Sequence, residues 1–427
     1  RAASRHPLLI AADLERGAGQ QFSGCTGLPP FAALAALGDA AAVRLAARLT
    51  AREALAIGVN WACAPVADLD LEPENPIVGT RSFGSDVTAV QGAVAEAVDA
   101  IQGEGMLACA KHFPGHGRTL ADSHAVLPTV EVSREALSTD LAPFIAAIDA
   151  GVASIMTAHV AYPALDASGA PATCSPRILR DLLREELQFE GLIVSDALVM
   201  GGVQDAGGEG QVAARALGAG CDLLLYPNDV ATALRGLEMA AGRSVGQGQV
   251  DASLARRDHW ARWASPVDRA HPVTDEDRRF ARELADRAVH VVRGPLAPLG
   301  PRLGVTLVDD DLGGPYPPPS RRPLLDALGA LGADVVVETH PVSSTRPLVI
   351  ALFGDILAWK GRAGYSSPVR DRVTQLVASA RSVRRDVLIV QFSHPRLANQ
   401  LPQDVPILCA WGGERPMQEA AARRLML

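Results

Sequence analysis

A parallel α/β fold is what this sequence predicts, and two observations carry the prediction. Short apolar runs alternate with helical stretches along most of the chain, the pattern that yields βα units and a parallel sheet. The C-terminal ends of these runs also collect the chemically active side chains: Asp13, Asp68, Lys111, His112, His159 and Asp196. Polar residues gathered at strand ends mark the catalytic face of a (β/α)8 barrel. A doubly wound open sheet follows the same logic and is the structural alternative.

Taken in order, Pro7 to Asp13 (PLLIAAD) reads as a buried strand closed by an acid. ERGAGQQFSG after it is Gly-rich and reads as a loop; it lacks the spacing of a phosphate cradle. Residues 31–57 are Ala/Leu-rich, with Arg44, Arg48 and Arg52 four apart, and predict one amphipathic helix. Gly58 to Leu69 is the second strand, ending near Asp68, and a long loop after it carries Arg81. A helix over 86–104 leads to the third strand, Met106 to Phe113. A helix over 133–150 precedes ASIMTAHV, the fourth strand, which ends at His159. Ser175-Pro176, an N-cap and N1 pair, opens a helix over 175–188. GLIVSDAL is the fifth strand with Asp196 at its end, and a small-residue helix over 209–219 leads to CDLLLYP, the sixth.

Residues 228–290 are helical and charged, and 291–300 read as a linker. Beyond it, LGVTLVDDD, ADVVVETHP, RPLVIALFGD, DVLIVQFS and VPILCAW are five more apolar runs, predicting a second, smaller α/β sandwich domain over 301–427 after a catalytic unit over 1–290. The Asp309-Asp310-Asp311 run reads as a solvated strand end, since nothing around it has metal-ligand spacing.

The chemistry concentrates in Lys111 to Pro128, KHFPGHGRTLADSHAVLP. Lys111 and His112 close an apolar run; Pro114, Gly115 and Gly117 then force a turn. The loop that follows carries Asp122 and His124 two residues apart. An imidazole can take and give a proton near neutral pH, and a neighbouring carboxylate fixes its orientation. A bare DxH is ordinarily two solvated loop residues. The complete string is more specific: KHFPGHG followed by DSH resembles the signature of glycoside hydrolase family 3, in its β-N-acetylglucosaminidase branch.

The resemblance implies His124 as acid/base assisted by Asp122, Lys111 and His112 as sugar ligands, and Asp196 in SDALVM as nucleophile. Ala197 stands where some members carry a second acid. Asp13 and Arg81, the latter in GTRSFG, match sugar-binding positions, whereas Gln21 replaces an arginine expected after ERGAGQ. His116 reads as a loop-shaping residue; His159 reads equally well as pocket-lining or structural. The resemblance covers residues 7–290 strongly and 300–427 weakly. Family barrels have eight strands, and the Asp13 strand matches their third. The first two βα units are thus expected to be missing, leaving the Pro7–Asp13 and Cys221–Pro227 strands as unpaired edges.

The function implied is a retaining β-N-acetylhexosaminidase acting on GlcNAc-bearing cell-wall fragments, with no metal and no organic cofactor. Two alternatives stay open. One is phosphorolysis, because an imidazole acid/base adds no negative charge against an incoming phosphate. The other is a catalytically impaired sugar-binding homologue, suggested by Gln21 and the missing strands. Of the 427 residues, 48% are hydrophobic and 21% charged, and the net charge of −8 gives no electrostatic case for nucleic acid. No apolar run reaches the roughly 20 residues of a membrane span. Six scattered cysteines without a CxxC pair read as buried thiols of a reducing compartment, so a cytoplasmic location is expected. The chain starts at Arg1, so a targeting segment upstream, and with it secretion, stays open.

Overall fold

The computed structural model describes residues 6–427 except 205–206, 265–272, 297, 316 and 340–343. The first half is a parallel βα succession. Its elements are β1 (Ala11–Ala12), α1 (Phe31–Ala36), α2 (Ala40–Ala56), β2 (Trp61–Ala62), α3 (Val87–Gly103), β3 (Cys109–Phe113), α4 (Arg134–Asp149) and β4 (Ser154–Thr157). A π-type helix, Arg177–Glu186, then leads to β5 (Leu192–Ala197), α5 (Gly201–Gln204), α6 (Glu209–Ala219) and β6 (Leu223–Leu225). Helices α7 (Val230–Ala240), α8 (Gln247–Trp263) and α9 (Asp275–Ala288) follow.

Strand β1 pairs with β2, and β3 to β6 form a four-stranded parallel ladder in chain order. The bridges Trp61 to Leu107 and Val66 to Lys111 carry the succession from β2 to β3. Among the described residues, β1 has a ladder partner only in β2, and β6 only in β5.

Side-chain caps start the helices where the sequence supplies them: Asp39, Asp86 and Ser133 accept from the backbone N–H of Ala41, Ala89 and Ala136. Asp39 also corrects the single helix expected over 31–57. Its carboxylate satisfies a free N–H at the start of α2, so the chain breaks after α1 and starts a second helix. The arginine stripe of α2 is paired: Arg44 with Glu96 of α3, Arg48 with Glu104 just past the end of α3, and Arg52 with Glu104 and Asp277.

The interior of the strand succession is apolar at the end where the strands begin. Trp61, Cys63, Leu107, Cys109, Ala153, Met156, Leu192 and Val194 form one cluster, and Trp260, Trp263 and Ala264 at the end of α8 pack against it. The Trp61 indole donates to Ser154 Oγ at 2.9 Å, and Asn60 Nδ2 reaches the Ala264 carbonyl at 3.4 Å. Each large apolar side chain buried in this floor contributes roughly 1.5–3 kcal/mol.

The second half is built on β7 (His290–Arg293), β8 (Arg302–Asp309), α10 (Arg322–Ala330), β9 (Asp334–Val337), β10 (Leu348–Phe353), α11 (Ser367–Ser382), β11 (Val387–Phe392), β12 (Ile407–Cys409) and α12 (Arg415–Leu425). The sheet order is β7-β12-β11-β10-β8-β9, with β7 antiparallel and the rest parallel. Alternation along the strands divides its residues between two cores. Val349, Ala351 and Phe353 share a cluster with residues of α10 and α12, whereas Leu348, Ile350 and Leu352 share one with residues of α11.

The five apolar runs expected here are β8 to β12; His340 and Pro341, at the end of the second run, lie outside the described residues. The linker expected over 291–300 is corrected at its start, because His290–Arg293 joins this sheet as β7. Asp309 to Asp311 are not a solvated strand end. Arg321 pairs with Asp309 and Asp311, Lys360 with Asp311, and Arg362 with Asp310. All six cysteines are free and five are buried. No described helix is long and apolar enough to cross a membrane.

Candidate active site

Strand β3 delivers Lys111 and His112 into the interior, where both are buried. The Lys111 ammonium lies 2.7 Å from Asp13 Oδ1 and 2.7 Å from Glu15 Oε1. Glu15 in turn accepts both arms of Arg81, from Nε at 2.8 Å and from the terminal nitrogen at 2.9 Å. Burial works against the charges of Glu15, Lys111 and Arg81, and their neighbours outweigh it. Arg81 and Lys111 hold the Glu15 carboxyl well below its usual range, and Asp13 and Glu15 hold the Lys111 ammonium above its own. Sequence reading named Asp13, Arg81 and Lys111 but not Glu15, the buried carboxylate that joins two of them. Its only signal was an acid beside Asp13 at the head of a Gly-rich loop.

Glu15→Gln removes the shared counter-charge of two cations, the buried Lys111 and the partly buried Arg81. It is expected to destabilise the fold by about 3 kcal/mol at neutral pH. The depressed folded pKa sets the sign: this stabilisation is present above the unfolded glutamate value of about 4.3 and is lost as pH falls through the folded value. Denaturant titrations of both proteins should therefore converge only in acid. A gap independent of pH would assign the loss to packing instead.

A second network descends from Asp68, which is fully buried. It accepts from the His112 backbone at 3.1 Å, from His112 Nδ1 at 2.7 Å and from the His116 backbone at 2.6 Å. The His116 ring sits 2.8 Å from Thr119 Oγ1 and 3.0 Å from Ser123 Oγ. Burial pushes its pKa down to about 4, so the ring is neutral and ties the loop together. Gly117 fits because a Cβ there would lie 1.8 Å from the Leu69 carbonyl oxygen.

Ser123 thus links the buried network to its neighbours Asp122 and His124. Asp122 Oδ1 accepts from the His124 backbone at 2.8 Å and lies 2.8 Å from His124 Nδ1. With Nδ1–H donated to the carboxylate, Nε2 is the nitrogen left for a substrate. Asp122 is buried, whereas the His124 side chain is half exposed.

Asp196, near the end of β5, supplies the remaining carboxylate. Burial disfavours its charge, but His112 and His159, the Ala197 N–H at 2.7 Å and Lys111 outweigh burial and lower its pKa. His159 lies behind it with both ring nitrogens satisfied, 2.7 Å from Thr173 Oγ1 and 3.0 Å from the Ala197 carbonyl. Of its two readings the geometry favours the structural one. The segment after Asp196 also docks the Asp122–His124 loop: Gly201 N–H donates to the His124 carbonyl at 2.9 Å, and Gly202 N–H to the Ser123 carbonyl at 2.8 Å. A Cβ on Gly201 would meet the Ala125 carbonyl at 2.4 Å, so this close approach needs glycine.

These groups line one cleft of about 710 Å³: Asp13, Glu15, Arg81, Lys111, His112, His124 and Asp196. Gln21 lines it too, while Asp122 and His159 stand behind the wall. Ile356, Leu357, Ala358 and Glu414, from the second half of the chain, complete the lining. Arg16 fastens the two halves there, pairing with Glu414, with Asp355 at 2.7 Å and with Thr80 at 2.9 Å. Sequence patterns gave no sign of this contribution. Among the described residues, no His, Cys, Asp and Glu side chains group as a metal site.

A partly buried carboxylate, an Asp-held imidazole and a set of paired charges thus share one cleft at the strand ends. Residues 1–257 match the family described as "Glycosyl hydrolase family 3 N terminal domain". The chain belongs to glycosyl hydrolase family 3. It is 40% identical over 234 residues to a β-N-acetylglucosaminidase/β-glucosidase of Cellulomonas fimi, covering 52% of this chain and 42% of that protein. It is 38% identical over 290 residues to a β-hexosaminidase of Methylococcus capsulatus, covering 64% of this chain and 85% of that protein. The match thus spans less than half of the Cellulomonas relative. A solved family 3 β-N-acetylglucosaminidase of Paenibacillus superposes with a TM-score of 0.87 at 29% identity, over 98% of this chain and 84% of that one.

Proposed function

We propose that this protein is a retaining β-N-acetylhexosaminidase that removes terminal β-linked GlcNAc. The observation carrying this reading is the joint placement of ionised Asp196 and Asp122-held His124 around one cleft. Asp196 attacks the anomeric carbon as the bond to the leaving oxygen breaks, giving a glycosyl ester. His124 Nε2 gives its proton to that oxygen, then takes one from the water that cleaves the ester. Asp13, Arg81, Lys111 and His112 hold the sugar. Cell-wall fragments are the substrate class this reading favours, and six free thiols support a reducing, cytoplasmic setting.

The single ladder partners of β1 and β6 support a barrel short of two βα units over 1–290, and the sheet of β7 to β12, with its own core on the α11 face, supports a smaller α/β unit after it.

The test is release of GlcNAc from its β-1,4-linked disaccharide, followed by NMR. The β-anomer should appear first, and an α-anomer formed first would overturn retention. Phosphate in a parallel reaction decides the phosphorolysis reading, which His124 in place of a carboxylate keeps in play: GlcNAc-1-phosphate would replace free GlcNAc. Binding of GlcNAc without turnover would give the sugar-binding reading.

A further inference from the structure

We infer that Tyr226 is the platform on which a ring-shaped leaving group stacks, which makes it a specificity-determining residue of the cleft. The inference rests on the glycosidase reading above and names the substrate class within it: β-GlcNAc glycosides whose aglycone is itself a ring, such as a second pyranose.

Three observations carry it. Tyr226 lines the cleft beside Asp196 and Leu225, yet it is 77% exposed. The other two described tyrosines, Tyr162 and Tyr365, are buried. An aromatic ring left in water at the mouth of a polar cleft has an apolar face with no partner in the protein. Second, its backbone is left-handed, with φ of +51°, a conformation that a bulky residue rarely adopts and that costs about 1 kcal/mol or more.

Third, that backbone is fixed. Leu198 N–H donates to the Leu225 carbonyl at 2.9 Å and Val199 N–H to the Tyr226 carbonyl at 3.2 Å, while Leu225 N–H donates to Ser195 Oγ at 2.9 Å. The ring therefore projects from the end of β6, whose backbone is tied to the Leu198–Val199 segment that follows Asp196.

The division of the cleft follows from burial and charge. The ion-paired set of Asp13, Glu15, Arg81 and Lys111 belongs with the hydroxyls of the sugar being cleaved. Asp196 is largely buried and Tyr226 exposed, so a ring lying on Tyr226 sits outward of the nucleophile, on the leaving-group side. Ile356, Leu357 and Ala358 add further apolar surface to the same cleft. Its volume of about 710 Å³ lies in the upper part of the range for sites that enclose a drug-sized ligand, leaving room for a second ring.

Tyr226→Asn and Tyr226→Phe test this, asparagine being chosen because it accepts the left-handed backbone. Two substrates with alkoxide leaving groups are compared: the β-1,4-linked GlcNAc disaccharide and methyl β-N-acetylglucosaminide. Tyr226→Asn should lower kcat/KM on the disaccharide about 10-fold, the scale of a lost aromatic contact, and leave the methyl glycoside within about twofold. Tyr226→Phe should stay close to wild type on both. Equal losses on both substrates, no loss on either, or a Tyr226→Phe variant as impaired as Tyr226→Asn would overturn the stacking role alone. A wild type that turns over neither substrate would overturn the glycosidase reading, and this inference with it.

Discussion

Asp196→Asn is expected to lose about 10³-fold or more in kcat while still binding GlcNAc. The amide keeps the shape of the carboxylate and can still accept the Ala197 N–H through its oxygen, so the change removes nucleophilicity and little else. Its neighbours add a pH signature. His112 and His159 favour the ionised form strongly enough to outweigh burial, so the folded pKa lies below the ordinary carboxylate value. If this group sets the acid limb of kcat/KM in the wild type, that limb should fall below pH 4. Turnover of the variant within tenfold of wild type, with GlcNAc affinity unchanged by calorimetry, would take the nucleophile role away from Asp196.

His124→Ala should separate substrates by leaving group. An activated aryl glycoside departs with little proton assistance, whereas a sugar alkoxide needs the proton that Nε2 carries. The variant should lose roughly 10²-fold more on the disaccharide than on a nitrophenyl glycoside. Asp122→Asn should show the same pattern more mildly, because it leaves the imidazole in place and weakens only the partner of Nδ1. Equal losses on the two substrates would mean that His124 holds the loop and moves no proton.

The parts of the site readable from sequence are those written within a few residues of one another. Lys111, His112, Asp122 and His124 fall inside one short segment, and Asp196 ends an apolar run, so the run-and-turn pattern placed Lys111, His112 and Asp196 at strand ends and Asp122 and His124 on a loop, while their expected roles came from the family resemblance. Glu15 escaped because a buried ion-pair partner has no periodicity, and a Gly-rich loop gives no hint of which side turns inward. Asp68 was visible as a strand-end acid, but its hold on His112 and His116 depends on how two loops meet. Glu414 and Ile356 reach the cleft from hundreds of residues away, a tertiary fact that no local pattern encodes. The break between α1 and α2 was legible in principle, since Asp39 is a good N-cap, but the Ala/Leu pattern on either side masked it. Strand β7 is four residues long and pairs only across the sheet, so its sequence resembles a linker.

The tryptophan-packed floor beneath β2 to β5 dictates traffic. Under the proposed glycosidase reading, a saccharide then enters and leaves through the cleft mouth, and the portion nearer the mouth departs first. Any partner that crowds that mouth would slow turnover without touching a reacting atom.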